Sequence, residues 1–475
     1  MENSFSILNI HYFEEMLNTN LKRKNLVKSG TNYFVLINKF FNQKTYRLIL
    51  FSICIFFSQK SFAQISNGDF VFSTDSVHIV RLFFKQPHYW DTLVQRYDTE
   101  HSEYDHYTDD SAKPLLASIQ IDGKKMDSIG VKLKGNLSNS ITTNKKPLKI
   151  YFNSFVKGRT FDGIYRLNLS NEFPDPSMLR NTVAYKIFRN AGIMAPRTSF
   201  AKVYVNNKYK GLYVMIEQVD KAFFSQYFKE PSGELIKALA GYLYWFPGDT
   251  LSFRSYYEIK AKNTPEAWSN LINFAKKINT TPANIFYDSL KTVFDFDSYI
   301  TVFAADIIFN NWDSYFYGQN YYIYRDSVES KYYYLPWDYN ISLNNYDVSS
   351  ADYYILPGRE NNDLFQLPLP SKIVNNEILK KKYLNEIARI NQYMSIDSLE
   401  KFILQMHKLI APALKGDSGK VMTMVQYEKS LLNHVAISEF DFEGLLSFIR
   451  RRHEQITKML NDVDVIYKEE KKEQN

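Results

Sequence analysis

The sequence has one cysteine, Cys54, and that thiol lies in an apolar run near the N-terminus. A chain with no second cysteine builds no disulfide framework and no thiolate metal site. If the N-terminal run is removed, no cysteine nucleophile is left either. Histidine is also scarce: the eight are scattered and form no H-E-x-x-H pair. The sequence contains no G-x-S-x-G, no P-loop and no EF-hand loop, so serine hydrolase, zinc protease and P-loop NTPase chemistry lose their support. Internal repeats and low-complexity domains are missing as well.

Long apolar runs are lacking. The run over 48–57 follows Tyr46-Arg47 and precedes Ser61-Phe62-Ala63. It is too short to span a bilayer, which takes about 20 apolar residues, and has the layout of a secretory signal cleaved after Ala63. The expected mature chain is therefore exported, without a transmembrane anchor. Residues 1–45 are a long leader for such a signal, so either the start codon lies further along or the leader has its own role. Phe51-Ser52-Ile53 lacks the small residue that lipid attachment at Cys54 would need. Residues 1–63 carry eight Lys or Arg and three Asp or Glu, so removing them takes the basic residues from 58 to 50 and the acidic ones from 51 to 48. A net charge near +2 gives no footing for nucleic-acid binding.

What is present is a globular chain, with hydrophobic residues at 45% and aromatics at 16%. The first part after the signal reads as strands: 76–84, a hairpin of 115–121 and 129–134 about Asp122-Gly123, 147–152, and a second hairpin of 199–205 and 209–216 about Asn206-Asn207. A helix is expected over 177–190. From about Phe223 the chain turns helical, with helices near 264–279, 297–312, 372–393, 396–414 and 439–461 and a frayed charged end. His101, Glu103, Asp105, His106, Asp109 and Asp110 lack ligand spacing on a regular element and read as a solvated loop.

One stretch organises the rest. The helix at 297–312 runs into a polar loop, a strand at 320–325, a strand at 331–335 and then Pro336-Trp337-Asp338. In an antiparallel hairpin the loop entering the first strand and the loop leaving the second lie at one end, so Asp313, Asn320 and Asp338 should converge. Two carboxylates and a carboxamide suit holding a divalent cation on a polyphosphate while one carboxylate receives a hydroxyl proton. The alternative is that Asp313 caps a loop and Asp338 closes a turn. Upstream, the loop at Gly135-Asn136 either offers backbone N–H groups to phosphate or is ordinary surface. Lys149, between Leu148 and Ile150, is either an edge-strand lysine or a cation aimed at an anion.

Several blocks together resemble the spore coat protein H (CotH) kinase family: Val131-Lys132-Leu133-Lys134-Gly135-Asn136, Lys146-Pro147-Leu148-Lys149-Ile150, Arg166-Leu167-Asn168-Leu169, Asp175-Pro176-Ser177, Ala195-Pro196-Arg197, Gly211-Leu212-Tyr213 through Glu217, and Leu335-Pro336-Trp337-Asp338. They stand in family order across residues 115–395. The resemblance implies an α+β, atypical protein-kinase-like two-lobed fold, with a strand-rich N-lobe, a helical C-lobe, and ATP with Mg²⁺ between them. It makes Asp313 the catalytic-loop Asp, Asp338 the metal-binding Asp and Lys149 the nucleotide-phosphate Lys. The family often reads W-D-x-D where this chain has Trp337-Asp338-Tyr339-Asn340, and Asn320 stands seven residues after Asp313 where ordinary protein kinases place the second-metal Asn five after their Asp.

The resulting expectation is a leader and signal over 1–63, an N-lobe over 64–221, a C-lobe over 222–465 and a disordered tail over 466–475. The chain is read as an exported or cell-envelope kinase that transfers the γ-phosphoryl of ATP to a protein Ser or Thr, or another hydroxyl. Gly135, Asn136 and Lys149 hold phosphates, Asp338 and Asn320 hold Mg²⁺, Asp313 takes the proton, and Glu217 either lines the nucleotide pocket or is structural. The rival is a non-catalytic envelope or spore-coat-like module on the same fold, with the aromatic runs Tyr315-Phe316-Tyr317 and Tyr332-Tyr333-Tyr334 stacking on glycans. Hairpin packing is the other use of those rings.

Overall fold

The computed structural model describes residues 67–473, apart from 103–112, 136, 142, 249–250 and 346–366. The leader and signal expected over 1–63 and the acidic stretch at 103–110 lie outside the described residues. Residues 66–475 form one compact unit. Helices of seven residues or more are numbered below.

Seven strands close into a barrel: β1 (His78–Phe83), β2 (Leu115–Ile121), β3 (Lys124–Leu133), β4 (Leu148–Tyr151), β5 (Arg166–Ser170), β6 (Thr198–Val205) and β7 (Lys208–Glu217), in the order β1-β2-β3-β4-β5-β7-β6. Its neighbours are antiparallel except β1 and β6, which run parallel and shut the ring from His78↔Ala201 to Leu82↔Val205. Alternation decides what lies inside: Val131, Leu133, Leu148, Ile150, Leu167 and Leu169 share the interior core, while Lys132, Lys149 and Asn168, in register across β3, β4 and β5, face outward. The tight turns have the backbone their residues suggest, with positive φ at Asp122 and Gly123 and at Asn206 and Asn207. Helix α1 (Tyr89–Ser102) packs on β3, where Lys132 and Glu100 form a buried ion pair at 3.0 Å.

A second core covers the outer face of the barrel. Phe200, Leu212, Val214 and Ile216 meet α2 (Arg180–Asn190), which, with Leu179 just before it, carries Val183, Ile187 and Phe188 into the same cluster. The helix starts at Arg180, three residues later than the sequence suggests. The Asp175 carboxylate draws the preceding turn in by accepting from the N–H groups of Ser177, Leu179 and Arg180 at 2.8–2.9 Å.

The helical region holds strands that the sequence did not announce. β8 (Glu234–Ala238) and β9 (Tyr257–Ala261) join the hairpin of β10 (Tyr321–Arg325) and β11 (Tyr332–Pro336) in a four-stranded sheet ordered β11-β10-β8-β9. β8 is buried at four of its five positions, so it shows no period-two alternation. Around the sheet lie α3 (Pro265–Thr280), α4 (Phe296–Ile308), α5 (Pro368–Val374) and α6 (Glu377–Tyr393), while α7 (Ile396–Lys415) lies against β7 of the barrel. The single helix expected over 372–393 is two, because Asn376 caps α6 by accepting from the Leu379 N–H. Residues 439–461 likewise divide. Phe440–Phe442 pairs with Val435–Ile437, and α8 (Leu445–Glu473) begins only after them.

The central helix is α4. Asp295 caps it by accepting from the Ser298 N–H at 2.8 Å, and every residue from Ser298 to Ile308 is buried. A helix apolar on all sides belongs in a core, and each fully buried Ile or Phe contributes about 1.5–3 kcal/mol. Only Asp297 in the first turn faces solvent, pairing with Lys382 of α6 at 2.7 Å. The helix ends where Asn310 takes a left-handed φ of 52°, which releases the chain into the loop carrying Asp313.

Candidate active site

The loop after α4 is fixed from within. The Asn311 amide donates to the buried Asp306 carboxylate at 3.0 Å, and the Ser314 hydroxyl donates to the Asn311 carbonyl at 2.9 Å. Asp306 also accepts from the Tyr339 hydroxyl at 2.6 Å. Burial pushes its carboxyl up to about 7, against the pull of these donors. One buried acid thereby ties the loop before β10 to the turn after β11.

The hairpin register, Tyr321↔Pro336, sets Asn320 beside Trp337, whose N–H donates to the Asn320 carbonyl at 3.1 Å. The Asn320 amide donates to the Asp313 carbonyl at 2.8 Å, and the Gln319 amide makes a short bond to the Asp313 carboxylate. Asp313, Asn320 and Asp338 are thus brought together at one end of the hairpin. Burial pushes Asp313 up to about 6, with the Asp338 charge acting in the same direction and the Gln319 and Asn320 amides opposing it. Burial also raises Asp338, against the pull of Lys134, Asn181 and Lys237.

Lys149 sits mid-strand on the barrel's outer face, 2% exposed, with its amine 5.6 Å from the Tyr151 ring. Glu217 ends β7 with its carboxylate bound by Arg197 at 2.6 Å and by the Gln226 amide at 2.9 Å. Gly135 has φ 77°, and a Cβ there would lie 2.2 Å from the Ser138 hydroxyl; its carbonyl accepts from the Tyr97 hydroxyl at 2.5 Å. Asn136 lies outside the described residues. Among the tyrosines considered for stacking, Tyr315, Tyr332 and Tyr334 are packed in the core, while Tyr317 is exposed.

Four residues at the site went unread in the sequence. Lys134 lies with its amine 5.6 Å from the Trp337 ring and 3.5 Å from the Asn168 amide oxygen. Its alternation with Lys132 along β3 was the available signal. Tyr185 and Asn181 of α2 bond the Asp338 turn, and Glu172 lies beneath them, pushed up to about 8 by burial, with the Asp175 and Asp338 charges adding to the shift. These last three left no periodic signal.

The family described as CotH kinase protein matches residues 131–456. The inner spore coat protein H of Bacillus subtilis is 25% identical over 334 residues, covering 66% of this chain and 85% of its own length. Invasin CotH3 of Rhizopus delemar is 23% identical over 268 residues, which is 52% of this chain and 44% of the invasin. Among solved structures, the Helicobacter pylori proinflammatory kinase CtkA matches at 15% identity and a TM-score of 0.29, over 70% of this chain and 94% of that one.

Proposed function

The chain belongs to the CotH kinase family, and from that premise we propose that it transfers the γ-phosphoryl of ATP, with Mg²⁺, to a protein Ser or Thr or another hydroxyl. The observation that carries this reading is the meeting of Asp313, Asn320 and Asp338 at one end of the β10–β11 hairpin. Among the described residues no three His, Cys, Asp or Glu side chains are grouped to hold an ion by themselves. One carboxylate with one carboxamide fits Mg²⁺, which keeps waters and takes the rest of its shell from substrate phosphates.

Asp338 would hold the metal, with Asn320 beside it. Bound there, Mg²⁺ would supply neutralisation of the phosphate oxygens. Asp313, with its carboxyl near 6, is deprotonated at neutral pH and still basic enough to orient a hydroxyl and accept its proton. Lys149 and the loop at Gly135 and Asn136 are assigned to the phosphates, and Lys134, which acts on Asp338 electrostatically, joins them. Glu217 is assigned to the edge of the nucleotide pocket through its place at the end of β7, although its carboxylate is held by Arg197.

Placement outside the cytoplasm belongs to the same proposal. It is supported by the signal-like segment before Gln64 and by relatives named as a spore coat protein and an invasin. Among the described residues no helix is long and apolar enough to cross a membrane.

The test is intact-mass measurement after incubating the purified chain with Mg-ATP and a Ser/Thr-containing acceptor. Addition of phosphate to either is the expected result. No added phosphate, together with a melting temperature unmoved by Mg-ATP, would reject the kinase reading and favour a non-catalytic module.

A further inference from the structure

Asn181 and Tyr185 stand one turn apart on α2, so both side chains leave the same face of the helix, and both reach the turn after β11. The Tyr185 hydroxyl accepts from the Asp338 N–H at 2.9 Å. The Asn181 oxygen accepts from the Tyr339 N–H at 2.7 Å, and its amide donates to both Glu172 oxygens at 3.2 and 3.1 Å. The Asn181 side chain also pulls the Asp338 carboxyl down, against the burial that raises it. One turn further on, Phe188 meets the Tyr339 ring edge-on with centroids 5.0 Å apart.

The turn needs this support. Asp338 holds φ at 58°, a backbone state costly for a side chain with a Cβ, and it lies beyond the last ladder pair of β11. Its conformation is therefore imposed from outside the hairpin, and α2 supplies the bonds. The helix is itself anchored, since Arg180 makes a buried ion pair with Asp175 at 3.2 Å and donates to the Ser342 carbonyl at 3.1 Å.

We propose that Asn181 and Tyr185 are positioning residues that orient the Asp338 carboxylate for the metal, so that the seating of α2 against the turn sets the affinity for metal-bound nucleotide. The inference rests on the reading of Asp338 as the metal ligand. It adds a control point on α2, a helix that supplies none of the residues assigned to the metal or the phosphates. Groups that bond directly to a metal ligand commonly change metal affinity about 10–100-fold when removed.

The experiment compares calorimetric affinities for ATP with EDTA and for ATP with Mg²⁺, alongside melting temperature, in the full chain. Tyr185→Phe keeps the ring and removes the acceptor for the Asp338 N–H. Asn181→Asp keeps an oxygen for the Tyr339 N–H but removes the amide that donates to Glu172 and pulls on the Asp338 carboxyl. Val183→Ala, on the opposite face of α2, empties core volume without touching the turn and serves as the control. The expected result is that Tyr185→Phe and Asn181→Asp lose about tenfold or more in the ratio of Mg-ATP to ATP affinity, with metal-free binding unchanged. Val183→Ala should lower the melting temperature and keep the ratio. Should Asn181→Asp fail to fold, Tyr185→Phe decides alone. A wild-type ratio in Tyr185→Phe, or an equal loss in Val183→Ala, overturns the proposal. If wild-type protein shows no metal-dependent nucleotide binding, the kinase reading falls first and takes the proposal with it.

Discussion

Asp313 and Asp338 sit at the same end of one hairpin and are held in different ways. Asp313 hangs on local donors, Gln319 and Asn320, whereas Asp338 is gripped by a helix more than 150 residues earlier in the chain. The two should fail differently. Asp338→Asn removes a charged metal ligand, so Mg-ATP binding should fall together with turnover. Asp313→Asn should keep Mg-ATP binding and lose transfer by about 10²-fold or more, because only the alignment and deprotonation of the attacking hydroxyl are affected. Calorimetry and a phosphate-transfer assay on the same preparations separate the two, and normal transfer by both mutants would return them to the status of turn residues. Because a base must be deprotonated, transfer should rise with pH through about 6, the value to which burial pushes Asp313. Lys149→Ala should weaken nucleotide binding, and unchanged ATP affinity would make Lys149 a structural lysine. The meeting of Asp313, Asn320 and Asp338 was legible because a hairpin brings the residues flanking its strands together by local geometry alone. Asn181, Tyr185 and Glu172 were not, since their approach to Asp338 depends on how α2 docks on the hairpin, which no sequence period encodes, and the one signal for Lys134, its alternation with Lys132 along β3, went unused.

At the level of elements, alternation and turn chemistry carried six of the seven barrel strands, and β5 (Arg166–Ser170), buried at its three central positions, was not read. β2 was found with its observed ends, and both early hairpins were marked by Asp122-Gly123 and Asn206-Asn207. Legibility failed where strands are short and buried on both faces, as in β8, and where a cap interrupts an otherwise helical pattern, as at Asn376. A third failure lies in the joint between α7 and the barrel. Just beyond α7, Asp417 is fully buried and accepts from the Lys145 amine at 2.7 Å and the Leu212 N–H of β7 at 3.0 Å. Gly211 makes room for it, because a Cβ at that position, with φ 125°, would lie 2.5 Å from the Asp417 carboxylate. Burial draws the Lys145 amine down from its ordinary value while Asp417 holds it up. Lys145→Met leaves the carboxylate buried without its cation, which should destabilise the protein by about 3–5 kcal/mol. Lys145→Met with Asp417→Asn should recover part of that loss, since the unpaired charge is gone. Denaturant melts of the single and double mutants test the joint. Additive losses would mean that the pair is not coupled.

Over the whole molecule, carboxyl groups buried around the two cores set how stability depends on pH. Burial raises Glu172 to about 8, Asp306 to about 7, and Asp220 and Asp313 to about 6. Ordinary carboxyl groups titrate near 4, so the folded chain holds more protons than the unfolded chain between those values. The sign follows from linkage. A group whose folded value is raised contributes stability that is fully present below its unfolded value and is lost as pH rises through its folded value. The window runs from about pH 4 to pH 8, with each group contributing at most about 1.4 kcal/mol per pH unit while it titrates. The melting temperature of the protein without nucleotide should therefore fall as pH is raised from about 5 to 8, opposite to a protein stabilised mainly by ion-paired carboxylates. Asp306 gives a clean check, because Asp306→Asn keeps an oxygen to accept from Tyr339 and Asn311 while removing the titration. That variant should show a shallower decline around pH 7 and equal or exceed wild type at pH 8. A melting temperature that climbs steadily from pH 5 to 8, or a slope unaltered by Asp306→Asn, would show that these acids do not govern stability and that their burial is relieved by water or by movement of the hairpin.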